Sequence, residues 1–370
     1  MSRARDFADL AGSADAGGLT GRSLIINGAM QVAQRSTSKT GIGASSGYFT
    51  LDRHRISVGN TAGRLTMSQA SITDLPGFAN ALKLDCTTAD TSIAANEDLA
   101  IQHRLEGQDL QVLQKGTSSA QPVTVSFYMK TNKAFTFMCE LDDTDNNRVN
   151  TQQFTTTTSW TRHSLTFTGD TTGTLNDDAN LSMRLNFWLH AGSNFTGGTY
   201  SANTWQSRQS SDNMRAVGIG SFFDNTANEI HLTGLKMEVG HQATPFEHRS
   251  FGDELARCQR YYIRFPSEAG SANSNMLAAG MSHDGSSNSG LFQIDLPNTM
   301  RANPTLGSNG TFRMYNGGTL NLTSGPTLNS ATVQTMGFVA SAGAGLDTKD
   351  AVFFGSNGDS DAYLEFKAEL

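Results

Sequence analysis

"PVTVSFYMKT" (122–131) runs through Asn132–Ala134 into "FTFMCELDD" (135–143). In the first stretch Val123, Val125, Phe127 and Met129 alternate with Thr124, Ser126, Tyr128 and Lys130; in the second, Phe135, Phe137, Cys139 and Leu141 keep the same spacing. Successive side chains of a strand point to opposite faces, so this period of two predicts strands with one buried face.

The pattern extends in both directions. "GYFTLDRHRISVG" (47–59), "GRLTMSQAS" (63–71), "NALKLDCTT" (80–88) and "DLAIQHRLEG" (98–107) precede the pair. "WTRHSLTFTG" (160–169), "LSMRLNFWLHAG" (181–192) and "EIHLTGLKMEVG" (229–240) follow it. Gly, Asn and Asp lie between them, which predicts an antiparallel sandwich or jelly roll. "LEGQDLQVLQKGTSSAQ" (105–121) reads instead as a helical turn crossing between sheets. In "FGDELARCQRYY" (251–262), Leu255 and Cys258 lie at helical spacing, and a second run of short strands with glycine-rich loops begins at "YYIRF" (261–265). At the other end "SRARDFADL" places Phe7 and Leu10 one helical turn apart, too short to hold a helix alone.

The predicted fold class is therefore mainly β. The expected order is an N-terminal helical arm and linker (1–23), an antiparallel jelly-roll β-sandwich (24–247), a helical joint (248–260) and a second β-sandwich (261–370). At the joint, Phe246 should plug the sandwich edge after Pro245, with Leu255, Cys258 and Tyr261 buried behind it. A chain of 370 residues is long enough for two cores.

Composition narrows the function. A net charge of −7 argues against nucleic acid, which needs a basic surface. No run approaches the length of a membrane span, and the N-terminus lacks the apolar core of a secretory signal, so synthesis in a cytoplasm is expected. Cys86, Cys139 and Cys258 match no zinc spacing and read as buried small hydrophobes. Asp143, Asp145 and Asn147 open like an EF-hand, but Arg148 and Phe154 stand where Gly and Glu are required. No cofactor is expected; at most this hairpin tip has room for a loosely held calcium ion. The histidines form no ligand set, and no catalytic motif occurs.

Aromatic residues point to a ligand. "HAGSNFTGGTYSANTWQSRQSS" (190–211) is a polar loop carrying Phe195, Tyr200 and Trp205 beside Asn194 and Gln206. Ring faces stack on sugars while amides take the hydroxyls, so these five residues are the candidate glycan site. Trp160 and Trp188 are expected in the core.

"NGAMQVAQRSTS" (27–38) followed by "YFTLDRHRIS" (48–57) resembles the opening signature of a β-sandwich module of tailed-phage fibre proteins. Further blocks match in order: residues 101–132, "GDTTGTL" (169–175), "LNFWLHAGSNFTGG" (185–198), "TWQS" (204–207), residues 232–262 and "LPNTMRANPTL" (296–306). His54 departs from it, standing where the family has Trp. The resemblance implies a non-enzymatic virion appendage of carbohydrate-binding-module-like fold, trimeric and adhering to host-surface glycans. Phe7, Leu10, Leu24 and Ile26 would then serve attachment to other virion proteins or contacts between copies. Two alternatives stay open: a capsid-decorating fibre or spacer that touches no receptor, and a glycan depolymerase.

Overall fold

The computed structural model describes residues 23–208, 214–266, 276–282, 288–347 and 349–370. Phe7, Leu10 and the expected helical arm lie outside the described residues. The chain divides into two compact units, Met1–Glu254 with Leu370, and Leu255–Glu369.

The first unit contains β1 (Ser38–Ile42), β2 (Gly47–Tyr48), β3 (Arg55–Gly59), β4 (Arg64–Ser71), β5 (Asn80–Thr88), β6 (Asp98–Glu106), β7 (Val123–Thr131), β8 (Thr136–Asp143), β9 (Arg148–Thr155), β10 (Thr161–Phe167), β11 (Leu181–Ala191), β12 (Gln206–Ser207) and β13 (Glu229–Val239). They form a six-stranded sheet, β1-β4-β5-β13-β7-β10, and a seven-stranded sheet, β12-β9-β8-β11-β6-β3-β2. Residues 122–143 do not make a hairpin: β7 lies in the first sheet and β8 in the second. Val125, Phe127 and Met129 from one, and Phe137, Cys139 and Leu141 from the other, are all fully buried in one core. Phe127 meets Phe187 of β11 edge to face at 4.8 Å, joining the two sheets. The 3-10 turn Gly107–Leu113 carries the chain between the sheets, with Leu110 and Leu113 buried.

β13 corrects a simple alternation, in which Leu232 would share a face with Lys236 and Glu238. The register slips between Thr233 and Lys236, where Gly234 adopts φ +61°. This bulge lets both Leu232 and Leu235 enter the core. Lys236 and Glu238 are buried and paired at 2.9 Å, and Glu238 accepts from Thr244 N at 2.8 Å, which fixes the corner before Pro245. Phe246 is half-buried, 5.2 Å from the ring of Phe78.

Helix α1 (Phe251–Gln259) begins at Ser250, whose Oγ accepts from Asp253 N at 3.2 Å. The division between units falls within it. Leu255 is half-buried; Cys258 and Tyr261 are buried. All three cysteines are buried and free.

The second unit contains β14 (Tyr262–Pro266), β15 (Met276–Ser282), β16 (Ser289–Asp295), β17 (Thr305–Asn309), β18 (Phe312–Tyr315), β19 (Thr319–Ala331), β20 (Thr335–Ala342), β21 (Ala351–Ser356) and β22 (Tyr363–Lys367). The strands assigned by sequence to a second sandwich instead form a closed barrel, β15-β16-β20-β19-β18-β21, and a three-stranded sheet, β14-β22-β17. β21 returns to pair with β15, and three register slips in β19 supply the bends that closure needs. Phe292, Phe312, Phe338 and Phe354 fill the barrel, with ring centroids 5.0–5.4 Å apart.

Candidate functional site

The residues carrying the fibre-like signature form a buried polar knot. Asn27, at φ +60°, donates through Nδ2 to Val32 O (2.8 Å) and Asp52 O (3.0 Å), and its Oδ1 accepts from Val32 N (2.9 Å). Asp52 accepts from Gln34 (2.5 Å) and Arg35 (3.3 Å). Gly28 lies against β13, where an added Cβ would stand 2.1 Å from Leu235 O. His54 is fully buried, its Nε2 3.1 Å from Asn27 O and its ring 5.5 Å from His103. Burial pushes its pKa down to about 4. Leu24 packs on the core of its own unit, and Ile26 N donates to His103 Nε2 at 3.4 Å.

The five predicted glycan-site residues separate into groups. Phe195 sits in the short helix Ser193–Thr196, its ring 5.3 Å from Trp188, and with Tyr200 it packs on Trp188, Met138 and Ala216. Tyr200 Oη accepts from Gln153 N at 2.9 Å. Both rings are half-buried and Asn194 is exposed. Main-chain bonds brace this loop: Asn194 N to Ala95 O (2.9 Å), Met214 N to Gly197 O (2.8 Å) and Ala216 N to Phe195 O (3.0 Å). Trp205 faces elsewhere. It packs on the main core, donates to Thr168 O at 2.7 Å and holds Lys115 Nζ 5.2 Å over its ring. Gln206 pairs with Val149 in β12–β9. Trp160, expected in the core, is half-exposed on the other sheet, donating to Asp74 at 2.9 Å under Lys130.

The calcium-like tip is bound up with a lysine. Lys115 Nζ lies 2.5 Å from Asp143, 3.0 Å from Asp170, and 2.9 Å from the carbonyls of both Thr172 and Gly173. Arg148 adds two bonds to Asp170, at 2.7 and 3.0 Å. Burial pushes the Asp170 carboxyl up, but Arg148 and Lys115 outweigh it and hold it below the usual range. A second group, Asp90, Glu97 and His190, brings three potential metal ligands within 4.8 Å. His190 already bonds Glu97 (3.1 Å) and Ser221 (2.8 Å), and Asp90 bonds Thr61 and Ala62 N (2.7 Å each).

Sequence reading missed the outer face of the seven-stranded sheet. One cross-strand row places Arg55, Gln102, Asn186, Glu140 and Thr151 side by side; the next places Arg104, Arg184 and Asp142. These side chains come from β3, β6, β11, β8 and β9, so only the register brings them together. Arg215 closes on Glu140 with two bonds, at 2.7 and 2.6 Å. Asp142 is shared by Arg215 (3.0 Å), Arg208 (3.2 Å) and Arg184 (3.4 Å). Burial and then Glu140 push the Asp142 pKa up, against the pull of all three arginines. Along β11, Arg184 Nε, Asn186 Oδ1 and Trp188 Nε1 are buried polar atoms without a hydrogen-bond partner. Glu140, Asp142, Asn186 and Trp188 are buried, and the half-exposed groups of this face are Arg55, Arg104 and Arg184, so what it can offer a ligand is guanidinium donors.

No family model matches the sequence, and no curated protein matches it. Among solved structures, a CBM4 carbohydrate-binding module shares 11% identity over 58% of this chain and 98% of its own, at a TM-score of 0.30. The family 11 carbohydrate-binding module of the cellulosomal cellulase Lic26A-Cel5E of Clostridium thermocellum shares 13% over 57% of this chain and 100% of its own, at 0.28. The enzymatically active domain of tailspike protein 4 from bacteriophage CBA120 shares 8% over 59% of this chain, which spans 21% of that chain, at 0.29. These are remote likenesses and assign no ligand to this chain.

Proposed function

We propose that this chain is a non-catalytic, glycan-binding component of a phage fibre, attached to the particle through its N-terminal region and multiplied by homotrimer formation. The observation that carries the glycan reading is the half-exposed Phe195–Tyr200 shelf, braced by main-chain bonds and set beside the polar outer face of β11. Flat apolar rings beside fixed donors and acceptors suit the two faces of a sugar. A shallow site of this kind binds weakly, and several copies on one particle would add through avidity. The virion assignment rests on the ordered sequence blocks from Asn27 to Leu306, the first of which forms the buried knot of Asn27, Gln34, Arg35 and Asp52.

Purified full chain should be retained by envelope glycans of a susceptible host and should slow phage adsorption. Phe195→Ala should lower retention while leaving the melting temperature within a few degrees. Absence of both retention and competition would overturn the adhesin reading; new reducing ends in the glycan would replace it with a depolymerase. Antibody labelling in electron micrographs tests the virion placement separately.

A further inference from the structure

We propose that the half-exposed arginines of this face, Arg184 of β11 with Arg104 of β6 and Arg55 of β3, form a subsite for an oxyanion borne on a sugar, so that the glycan taken by this surface is acidic. The inference rests on the glycan-binding reading above and narrows it to a chemical class.

Arg104 and Arg184 lie directly opposite one another across β6 and β11. Like charges at that position repel, and Arg104 turns part of its fork to Leu370 O at 2.5 Å. Arg55 follows across β3 and β6, where it donates to the neutral amide of Gln102 at 3.0 Å; Arg104 reaches the same oxygen at 3.4 Å. The two carboxylates nearest Arg184 are already committed, and Asp98 offsets part of the charge of Arg55. Glu140 is closed by the two-bond grip of Arg215, and Asp142 is divided among three guanidinium groups. Arg184 therefore has only a shared, 3.4 Å contact with Asp142, and its side chain remains 27% exposed. Its pKa agrees with that geometry: burial lowers it first, Asp142 opposes, and Arg104, Arg215 and Arg208 lower it further.

The repulsion is gathered on one face of a chain whose net charge is −7, so general solubility does not explain it. Arg184 Nε is without a hydrogen-bond partner, so its guanidinium keeps donor capacity that the fold does not use. Arg55, Arg104 and Arg184 are half-exposed, whereas Asn186 and Trp188 farther along β11 are buried, so a bound oxyanion would meet the guanidinium end of the row. Guanidinium forks pair with carboxylate, phosphate or sulfate oxygens through two parallel bonds.

The test uses the full chain and four probes: polygalacturonate, dextran sulfate, neutral dextran and duplex DNA. Affinity electrophoresis should show retardation by at least one acidic glycan and little by neutral dextran, fading as ionic strength rises. Arg184→Gln should weaken acidic-glycan binding about tenfold, and Arg184→Lys, which keeps charge but loses the fork, should fall between. Arg55→Gln, on a different strand, should weaken it independently should Arg184→Gln misfold, as circular dichroism would reveal. Equal retardation by neutral and acidic glycans overturns the acidic subsite and leaves the glycan reading standing. Retardation by no glycan, from the panel or the host envelope, overturns both. DNA binding as strong as acidic-glycan binding reduces the face to a general polyanion surface and also overturns the subsite.

Discussion

Two groups of oppositely charged side chains in the first unit reach opposite balances. Around Lys115, one ammonium is enclosed by Asp143, Asp170 and two carbonyls, and Arg148 completes the shell. On the outer face of β11, three guanidinium groups compete for Asp142, while Arg104 and Arg184 face each other. The carboxyls report the difference: Asp170 is held below its usual range, whereas Asp142 is pushed above it. Burial alone does not make a charge group structural. What matters is whether the partners present repay desolvation, and in the first group they do.

The largest effect should come from opening the closed group. Lys115→Met leaves Asp143 and Asp170 buried without their central cation and should cost roughly 3–5 kcal/mol in chemical denaturation. A cost under about 1 kcal/mol would mean that Arg148 and the loop carbonyls suffice, and the contrast between the two groups would collapse.

His54 tests desolvation where no counter-ion is present. Its pKa is near 4 in the fold against an ordinary 6.5, so the unfolded chain binds more protons between those values. Stability should be fully present above pH 6.5 and fall as pH drops towards 4, by up to about 3 kcal/mol. His103, lowered in the same direction by burial and then Arg53, adds to the slope. His54→Gln should flatten much of that slope in a series of denaturation curves; an unchanged slope would move the acid sensitivity elsewhere.

Arg215 is intermediate, because Glu140 keeps one bond from Asn186 at 2.6 Å when the guanidinium is lost. Arg215→Met should cost about 2 kcal/mol. It should also loosen the Phe195 loop, raising amide exchange at Ala216, which bonds Phe195 O. Loss of stability without faster exchange there would show that the ion pair holds the sheet and not the loop.

These differences mark what a sequence can disclose. The period of two in residues 122–131 is local, so β7 and its buried face were legible. The destination of β8 was not, because the Asn132–Phe135 connection does not say whether the chain turns back or crosses to the other sheet. Likewise, closure of β21 onto β15 depends on pairing across most of the second unit. The aromatic loop was visible as Phe195, Tyr200 and Trp205, yet Lys115 draws Trp205 to the far group. Asp143 looked like part of a calcium loop because its partner Lys115 arrives from the crossover after the Gly107–Leu113 turn, beyond any local motif. Arg55, Arg104 and Arg184 belong to three strands distant in sequence, and nothing marks them as neighbours until the register is fixed.

The smallest stability change should fall at Arg184, and that smallness is the sharpest test. In a structural ion network, removing one member leaves a buried charge exposed to its full desolvation cost. Asp142 would still keep Arg208 and Arg215 after Arg184→Gln, at 3.2 and 3.0 Å. The substitution also removes the cation opposite Arg104. Loss of a weak 3.4 Å pair and relief of repulsion act in opposite directions, so the net change should lie within about 0.5 kcal/mol. A loss of several kcal/mol in urea denaturation would make Arg184 a structural member like Lys115, and the outer face would then be a second closed group whose charges serve the fold.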